Sequence, residues 1–380
     1  MKAARRGTVI AGGGTGGHIV PSLQIARAMV ARGHAPETIE LFGSRRGQEA
    51  TTWPALEFPH TLLPGRGIKR SLRPSALLAN AGAVLGLAWA CLRAVGSFAA
   101  HRPRVVVVVG GYASFPAGVA AIVTRVPFVS VTTDAVPGAV VGLLGRFAAA
   151  NAVAFPGTDL PRAQVTGTPV RPELAQLDRT PAGQAHSRAA LGLPADRQTV
   201  ASMSGSLGAR RVNRAMAQLA GLWASCGTRA LYHVTGRRDY DAFASGERTG
   251  AGTGAGEGLV YRVVPFEEDV PDFLAAADVC VTRAGAMTVA ELLLSGMPAV
   301  LVPLPGAPRD HQTRNAQAMV RMGAAVHVPD PECDGARLAT ELDALLAQPE
   351  RLRAMREAAR EHAHPDAAAR IAELVDSHAR

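Results

Sequence analysis

Aromatic side chains are scarce in this sequence, at 4% of 380 residues, and lysine is nearly absent, with Lys2 and Lys69 the only two among 40 basic residues. The shortage of aromatics removes the stacking platforms on which single-stranded nucleic acid is bound, and no basic run interleaves with the few that exist. Nucleic acid is therefore not the expected partner of the formal charge of +9. An anionic membrane surface or a phosphorylated substrate fits that charge better. Cysteine is also sparse: Cys91, Cys226, Cys280 and Cys333 lie far apart, without metal-binding spacing or a disulfide framework, which suits a reducing cytoplasm. The first residues carry no apolar signal core and no small-residue cleavage site, so an intracellular protein is expected.

Apolar residues and glycine are plentiful. Hydrophobic residues make up 48% of the chain, enough at this length for two domains with separate cores. The glycines recur just after short apolar runs. The strand expected at 8–11 leads into Gly12-Gly13-Gly14-Thr15-Gly16-Gly17-His18, and a helix is expected from Pro21 to about Arg32. Gly12, Gly14 and Gly17 satisfy a G-x-G-x-x-G pattern, which lets backbone approach a phosphate or sugar at a helix N-terminus. His18 closes that loop and is the one obvious candidate base in this half, although a structural histidine fits the position equally. Ser44, Arg45 and Arg46 resemble a grip on a 2'-phosphate, so an NADP-dependent oxidoreductase is a competing reading.

A very apolar strand at 105–109 runs into Gly110-Gly111-Tyr112-Ala113-Ser114, and a strand at 128–131 into Thr132-Thr133-Asp134. Before them, 75–100 is apolar and long enough to span a membrane, but Gly82, Gly86 and the interior Arg93 suit an amphipathic or buried helix. That helix reads either as core packing on a parallel sheet or as a face docking onto anionic lipid, with Arg66, Lys69, Arg70 and Arg73 at its edge. Four prolines in 156–172 mark a linker.

The second half repeats the scheme with a strand at 199–202, the loop Gly205-Ser206-Leu207-Gly208 and a helix at 210–223. The glycine-rich run 246–258 reads as a surface insertion, and Asp239-Tyr240-Asp241 as a lone, weak metal motif. The most specific stretch is 279–315. There a strand meets Arg283-Ala284-Gly285-Ala286 and a helix at 287–295, then a second strand and a Pro/Gly loop precede a helix at 311–322 with Asp310 as its cap. Glu291 lies about one turn into the first helix, where a carboxylate can accept from both hydroxyls of a ribose. Gln312, Thr313 and Asn315 open the second helix with neutral groups suited to sugar hydroxyls. Taken singly, Glu291 could merely answer the helix dipole and Asn315 be merely exposed. Together they point to a nucleotide-sugar pocket.

The expected fold class is α/β, with two Rossmann-like domains whose parallel sheets face a central cleft. The expected boundaries are 1–160 and 161–360, with 361–380 a C-terminal helix packing back on the N-terminal domain.

Six motifs in order carry a resemblance over nearly the whole chain. They are Gly13-Gly14-Thr15-Gly16-Gly17-His18, Gly110-Gly111-Tyr112-Ala113-Ser114, Gly167-Thr168-Pro169-Val170-Arg171, Gly205-Ser206-Leu207-Gly208-Ala209, Arg283 with its following eight residues to Glu291, and Asp310-His311-Gln312-Thr313-Arg314-Asn315-Ala316. In these the sequence resembles the MurG family of GT-B glycosyltransferases. The resemblance implies inverting transfer of N-acetylglucosamine from UDP-GlcNAc to undecaprenyl-pyrophosphoryl-MurNAc-pentapeptide (lipid I), forming lipid II of peptidoglycan. It implies that Glu291 holds the ribose, Arg171 the uridine end, Ser206 with Ala286, Met287 and Thr288 the diphosphate, and Gln312 the sugar, with Asn315 in the same pocket. Thr15, Gly16 and Gly17 would line the acceptor side, and His18 would be the base. No cofactor or metal is implied. The family's place is peripheral, on the cytoplasmic face of the cell membrane, among other cell-wall enzymes, which favours the lipid-docking reading of 66–100.

One departure stands out. Where the family usually has His-Glu-x-Asn, this chain reads Val131-Thr132-Thr133-Asp134, so Asp134 replaces an asparagine and is a candidate catalytic acid or base. Leu207 also replaces a usual glutamine. These bear on the acceptor more than the donor, and a UDP-sugar transferase with another acceptor, or a silent UDP-sugar-binding protein, are the remaining readings.

Overall fold

The computed structural model describes residues 7–64, 74–205, 209–246, 248–249 and 258–380. The chain divides into two compact units, the first comprising the residues up to Val170 together with His364–Arg380, the second Arg171–Ala363.

The first unit is a seven-stranded sheet of β1 (Thr8–Gly12), β2 (Ile39–Ser44), β3 (His60–Leu63), β4 (Val105–Gly110), β5 (Phe128–Thr132), β6 (Ala150–Val153) and β7 (Ala163–Val165). Its order is β3-β2-β1-β4-β5-β6-β7, and every pairing is parallel. The helices are α1 (Gly16–Ala31), α2 (Glu49–Thr52), α3 (Pro74–His101), α4 (Ser114–Val123) and α5 (Ala139–Leu144). The valine run of β4 shows why the sheet must be covered on both faces. Val106 and Val108 pack with Ala94, Phe98 and Ala117 of α3 and α4. Val105, Val107 and Val109 pack on the other face with Ile25 and Met29 of α1 and with Ile371 and Val375 of the C-terminal helix, Ala367–His378. Each buried valine contributes about 1.5 kcal/mol or more relative to exposure, so a run of them commits this stretch to the sheet centre.

Three expectations shift here. The expected boundary at 160 moves to 170, because the proline-rich stretch contains β7, which pairs with β6 and so belongs to the first sheet. Strand β3, half-exposed and without clear alternation, was not expected. Helix α1 starts at Gly16 and carries Pro21 inside it, so His18 stands in the first helical turn instead of ending the loop.

Helix α3 has one buried side and one exposed apolar side. Ala83, Ala90, Ala94 and Phe98 are buried, whereas Val84, Leu85, Trp89 and Leu92 are exposed, Leu85 by 72%. From Gly82 to His101 it is long and apolar enough to cross a membrane by length and composition. The basic residues at 66–73 lie outside the described residues.

The second unit contains β8 (Gln198–Met203), β9 (Arg229–Val234), β10 (Arg248–Thr249), β11 (Val260–Val264), β12 (Val279–Thr282), β13 (Ala299–Leu301) and β14 (Ala325–His327), ordered β10-β11-β9-β8-β12-β13-β14. All pairings are parallel except that of the two-residue β10, which is antiparallel to β11. Strand β10 and residues 246 and 258–260 are what the structure describes around the glycine-rich insertion. The helices are α6 (Pro181–Ala190), α7 (Arg210–Leu222), α8 (Val270–Ala276), α9 (Ala286–Ser295), α10 (His311–Arg321), α11 (Gly335–Leu346) and α12 (Pro349–Glu361). Val200, Leu231, Val281 and Val300 of the sheet meet Leu219 of α7 and Leu338 and Leu342 of α11 in the core. Among the parallel strands of each unit the order reverses once, between β1 and β4 and between β8 and β12, and such a reversal opens a crevice at the carboxyl ends of the strands.

Candidate active site

At the crevice of the first unit, the loops after β1, β4 and β5 bound a pocket of about 160 Å³ lined by His18, Gly110, Gly111, Thr132, Thr133 and Asp134 among others. All six stand in stretches singled out in the sequence. His18 reaches the pocket because two glycines make room. A Cβ at Gly110 would lie 2.6 Å from its Nε2, and one at Gly111 would lie 2.1 Å from the Gly13 oxygen. Both glycines also have positive φ, +132° and +82°, which a side chain would strain. The Ser114 hydroxyl ties the two loops: it receives the Gly110 N–H at 2.8 Å and lies 2.6 Å from the Ala11 carbonyl.

The His18 Nδ1 lies 3.2 Å from the Gly13 carbonyl. A carbonyl can only accept, so Nδ1 carries the proton and Nε2 is left with its lone pair, without a hydrogen-bond partner among the described residues. Burial pushes the imidazole below its ordinary value, while the Gly13 carbonyl, Asp134 and Glu49 pull it back up. The ring is therefore neutral near pH 7, the state a general base needs. Thr15 is the N-cap of α1, but its hydroxyl makes no capping bond, and Thr15 and Gly16 are exposed with Gly17 half-buried.

In the second unit, α9 begins directly after β12. Its N-cap, Gly285, offers no side chain, so the N–H groups of Ala286, Met287 and Thr288 face outward at the positive end of the helix. The Arg171 guanidinium pairs with Glu291 at 3.2 Å. Burial pushes the Glu291 carboxyl up and Arg171 pulls it down. Around them the supporting bonds are dense. Arg283 donates to the Val302 and Pro303 carbonyls, both at 3.0 Å, and to Asp330 at 2.6 Å, binding the loops after β12 and β13 together.

Asn315 was expected to reach a ligand, yet it is fully buried and donates to the Ala284 carbonyl at 3.0 Å, bracing the loop before α9. Gln312 is half-buried, and its carbonyl accepts from Leu304 N–H at 2.9 Å. Asp310 precedes α10 but does not cap it: Arg309 and Asp310 both adopt left-handed φ, 56° and 53°, and the Asp310 carboxylate instead takes the Thr313 hydroxyl at 2.7 Å. Ser206 and Leu207 lie outside the described residues.

Two weaker motifs resolve into structure. Asp239 of the D-x-D is buried and paired with Arg238 at 2.9 Å and Arg210 at 3.2 Å, and no metal-holding cluster exists among the described residues. The Ser44 and Arg45 of the supposed 2'-phosphate grip hold the chain itself, Ser44 through its N–H on Glu49 at 2.8 Å and Arg45 through Nε on the Leu62 carbonyl at 3.3 Å. Sequence reasoning missed Glu49, which is fully buried beside the first glycine loop. A glutamate opening a four-residue helix reads as an ordinary surface position, and only its glycine neighbours hint otherwise.

Residues 8–153 match the glycosyltransferase family 28 N-terminal domain and residues 199–371 the glycosyltransferase family 28 C-terminal domain. Two proteins named UDP-N-acetylglucosamine–N-acetylmuramyl-(pentapeptide) pyrophosphoryl-undecaprenol N-acetylglucosamine transferase, from Desulforudis audaxviator and Moorella thermoacetica, are 36% and 37% identical, each alignment covering 97% of this chain and 97% of the relative. The crystal structure of Acinetobacter baumannii MurG superimposes with a TM-score of 0.78 at 25% identity, covering 98% of this chain and 99% of that one. The glycosyltransferase of kitacinnamycin, at 18% identity and a TM-score of 0.68 over 99% of this chain and 100% of its own, shares the fold. The two-domain parallel α/β architecture is that of the GT-B glycosyltransferases. With both domains matched in order and its relatives covered almost end to end, the chain belongs to glycosyltransferase family 28, alongside these N-acetylglucosamine transferases.

Proposed function

We propose that this chain transfers N-acetylglucosamine from UDP-N-acetylglucosamine to N-acetylmuramyl-(pentapeptide) pyrophosphoryl-undecaprenol, with inversion at the anomeric carbon. The observation that carries the reading is the half-buried, neutral His18 with Nδ1 tied to Gly13 and Nε2 left as a base in a pocket. The acceptor hydroxyl gives its proton to Nε2 as its oxygen attacks the anomeric carbon. The bond to the diphosphate breaks, and UDP leaves with the electron pair. The α9 N-terminus, through Ala286, Met287 and Thr288, meets that growing negative charge without a metal, and the family resemblance assigns Ser206 to the same diphosphate. Glu291 takes the ribose hydroxyls, Arg171 the uridine end and Gln312 the sugar. Thr15, Gly16 and Gly17 line the acceptor's approach. Asp134 supports the imidazolium electrostatically, in agreement with its upward pull on His18.

The exposed Leu85, Trp89 and Leu92 of α3 fit peripheral attachment to the cytoplasmic face of the membrane, where an undecaprenol substrate resides. Other cell-wall enzymes are further partners of a protein so placed.

A second reading keeps the donor and changes the acceptor. It is favoured by Thr132, Thr133 and Asp134 in the His18 pocket, because a carboxylate there repels a phosphate-bearing acceptor. The deciding experiment follows labelled sugar from UDP-N-acetylglucosamine into the lipid fraction with the muramyl-pentapeptide lipid or an analogue as acceptor. Label in the lipid, undiminished by EDTA, is the expected result. UDP-sugar binding without transfer would sink the proposed acceptor and direct attention to others.

A further inference from the structure

Glu49 opens α2 and is fully buried. Its Oε1 accepts the Ser44 N–H at 2.8 Å and its Oε2 the Gly14 N–H at 2.9 Å. Both oxygens act as acceptors, the use of an ionised carboxylate. The space around it is built from absent side chains. A Cβ at Gly13 would lie 2.3 Å from Oε1, one at Gly47 2.0 Å from Oε2, and one at Gly43 2.6 Å from Cγ. Two separate stretches of chain, the loop after β1 and the segment 43–47, thus leave room for this one group.

The N–H held by Glu49 and the carbonyl that meets His18 belong to a single peptide: Gly14 N and Gly13 O are the two ends of one amide, and that oxygen lies 3.2 Å from His18 Nδ1. A negative charge on the N–H side polarises the amide and makes its oxygen a stronger acceptor. We propose that Glu49 is a positioning residue for His18, acting through the Gly13–Gly14 peptide to fix the imidazole tautomer and to stabilise the imidazolium formed during transfer. This rests on His18 being the base of the reaction proposed above. As the acceptor proton passes to Nε2 and the sugar–diphosphate bond breaks, the new charge on the ring is met at Nδ1–H by the Gly13 carbonyl, and beyond it by the carboxylate. The charged groups acting on the ring are Asp134, from the loop after β5, and Glu49, from α2. Gly111, whose missing Cβ leaves the Gly13 oxygen in place, belongs to the same device.

The test is a cycle of Glu49→Gln, His18→Ala and the double variant, read by kcat, the KM for UDP-N-acetylglucosamine and the pH profile. For Glu49→Gln the expected result is a fall in kcat of roughly 10- to 100-fold, the loss typical of an orienting partner. The KM should hold, and the acid limb of kcat/KM should move to lower pH. In the His18→Ala background Glu49→Gln should cost nothing more. An equal fractional loss in both backgrounds, or an unmoved acid limb, overturns the positioning role while leaving His18 as base. Parental kcat in His18→Ala overturns the base assignment and this inference with it. Should Glu49→Gln not fold, nitrogen-15 NMR of histidine-labelled parent protein decides. The Nδ1–H tautomer for His18 is expected, and the Nε2–H tautomer overturns the proposal.

Discussion

The Arg171 guanidinium stands 3.2 Å from the Glu291 carboxylate, so two groups assigned to opposite parts of one nucleoside are each other's counter-ion in the second unit. The Glu291 carboxyl is raised by burial against the opposing pull of Arg171. An acid with a raised folded value binds more protons folded than unfolded, so it withdraws stability as pH rises through that range. Glu291→Gln should therefore leave the unliganded protein as stable at pH 7 or more so, its melting temperature rising by up to about 2 °C. Its affinity for UDP-N-acetylglucosamine should fall about 10- to 100-fold, as loss of hydrogen bonds to a charged group of roughly 1.5–3 kcal/mol requires. Calorimetric titration and a melting curve on the same sample check both halves. Unchanged affinity would remove Glu291 from the nucleotide site.

As the proposed base, His18 should set the pH response of transfer. Its value is below the usual 6.5, so kcat/KM should be flat at neutral pH and fall only in acid, through a limb below pH 6.5. In His18→Ala kcat should drop by about 10²- to 10⁴-fold and that limb should vanish. A profile unchanged in shape would assign the limb to another group.

Gly111→Ala tests the geometry without touching a titrating group. The new Cβ would sit 2.1 Å from the Gly13 oxygen on a backbone of φ +82°, so the carbonyl must move. A displacement near 1 Å costs on the order of 100-fold in rate. Binding of UDP-N-acetylglucosamine, which we assign to residues of the second unit, should be unchanged by calorimetry.

His233 supplies a pH dependence of stability. It is completely buried, with Nδ1 2.8 Å from the Tyr261 hydroxyl and Nε2 3.0 Å from Asn213 Oδ1. Because the Asn213 oxygen accepts, Nε2 carries the proton and Nδ1 receives the hydroxyl, an arrangement open only to the neutral ring. Burial lowers its value to about 4. Below pH 6.5 the unfolded chain takes up a proton that the folded unit refuses, so stability falls as pH drops from 6.5 to about 4. The total is on the order of 3 kcal/mol. Urea unfolding of the second unit across that range, compared with His233→Gln, should show the slope in the parent and its loss in the variant.

The strands at 8–11, 105–109 and 199–202 were legible because a sheet covered on both faces writes itself as an unbroken apolar run. His18 and Glu291 drew attention because each follows an apolar run and its loop, and the structure puts His18 in the first turn of α1 and Glu291 in the middle of α9. Asn315 was read for its polarity, but its burial depends on the Ala284 carbonyl, 31 residues away. Glu49 was invisible for the same reason: its role is defined by Gly14, Ser44 and the glycines at 13, 43 and 47, which no local pattern connects. Strand β7 lay hidden among prolines, which an edge strand tolerates.

The C-terminal helix has a consequence for how the protein is made. Ile371, Ala372, Leu374 and Val375 share a core with Ile10, Ile25 and Val107, and Asp376 binds Arg32 and His34 at 2.7 and 2.8 Å. A ribosome releases the whole of the second unit, an unbroken segment, before it releases the piece that closes the first. The usual order, in which the N-terminal domain finishes first, is thereby reversed. Until Ala367–His378 emerges, the pocket that His18 lines stands on an unfinished hydrophobic face, so the first unit matures only after the second has been made.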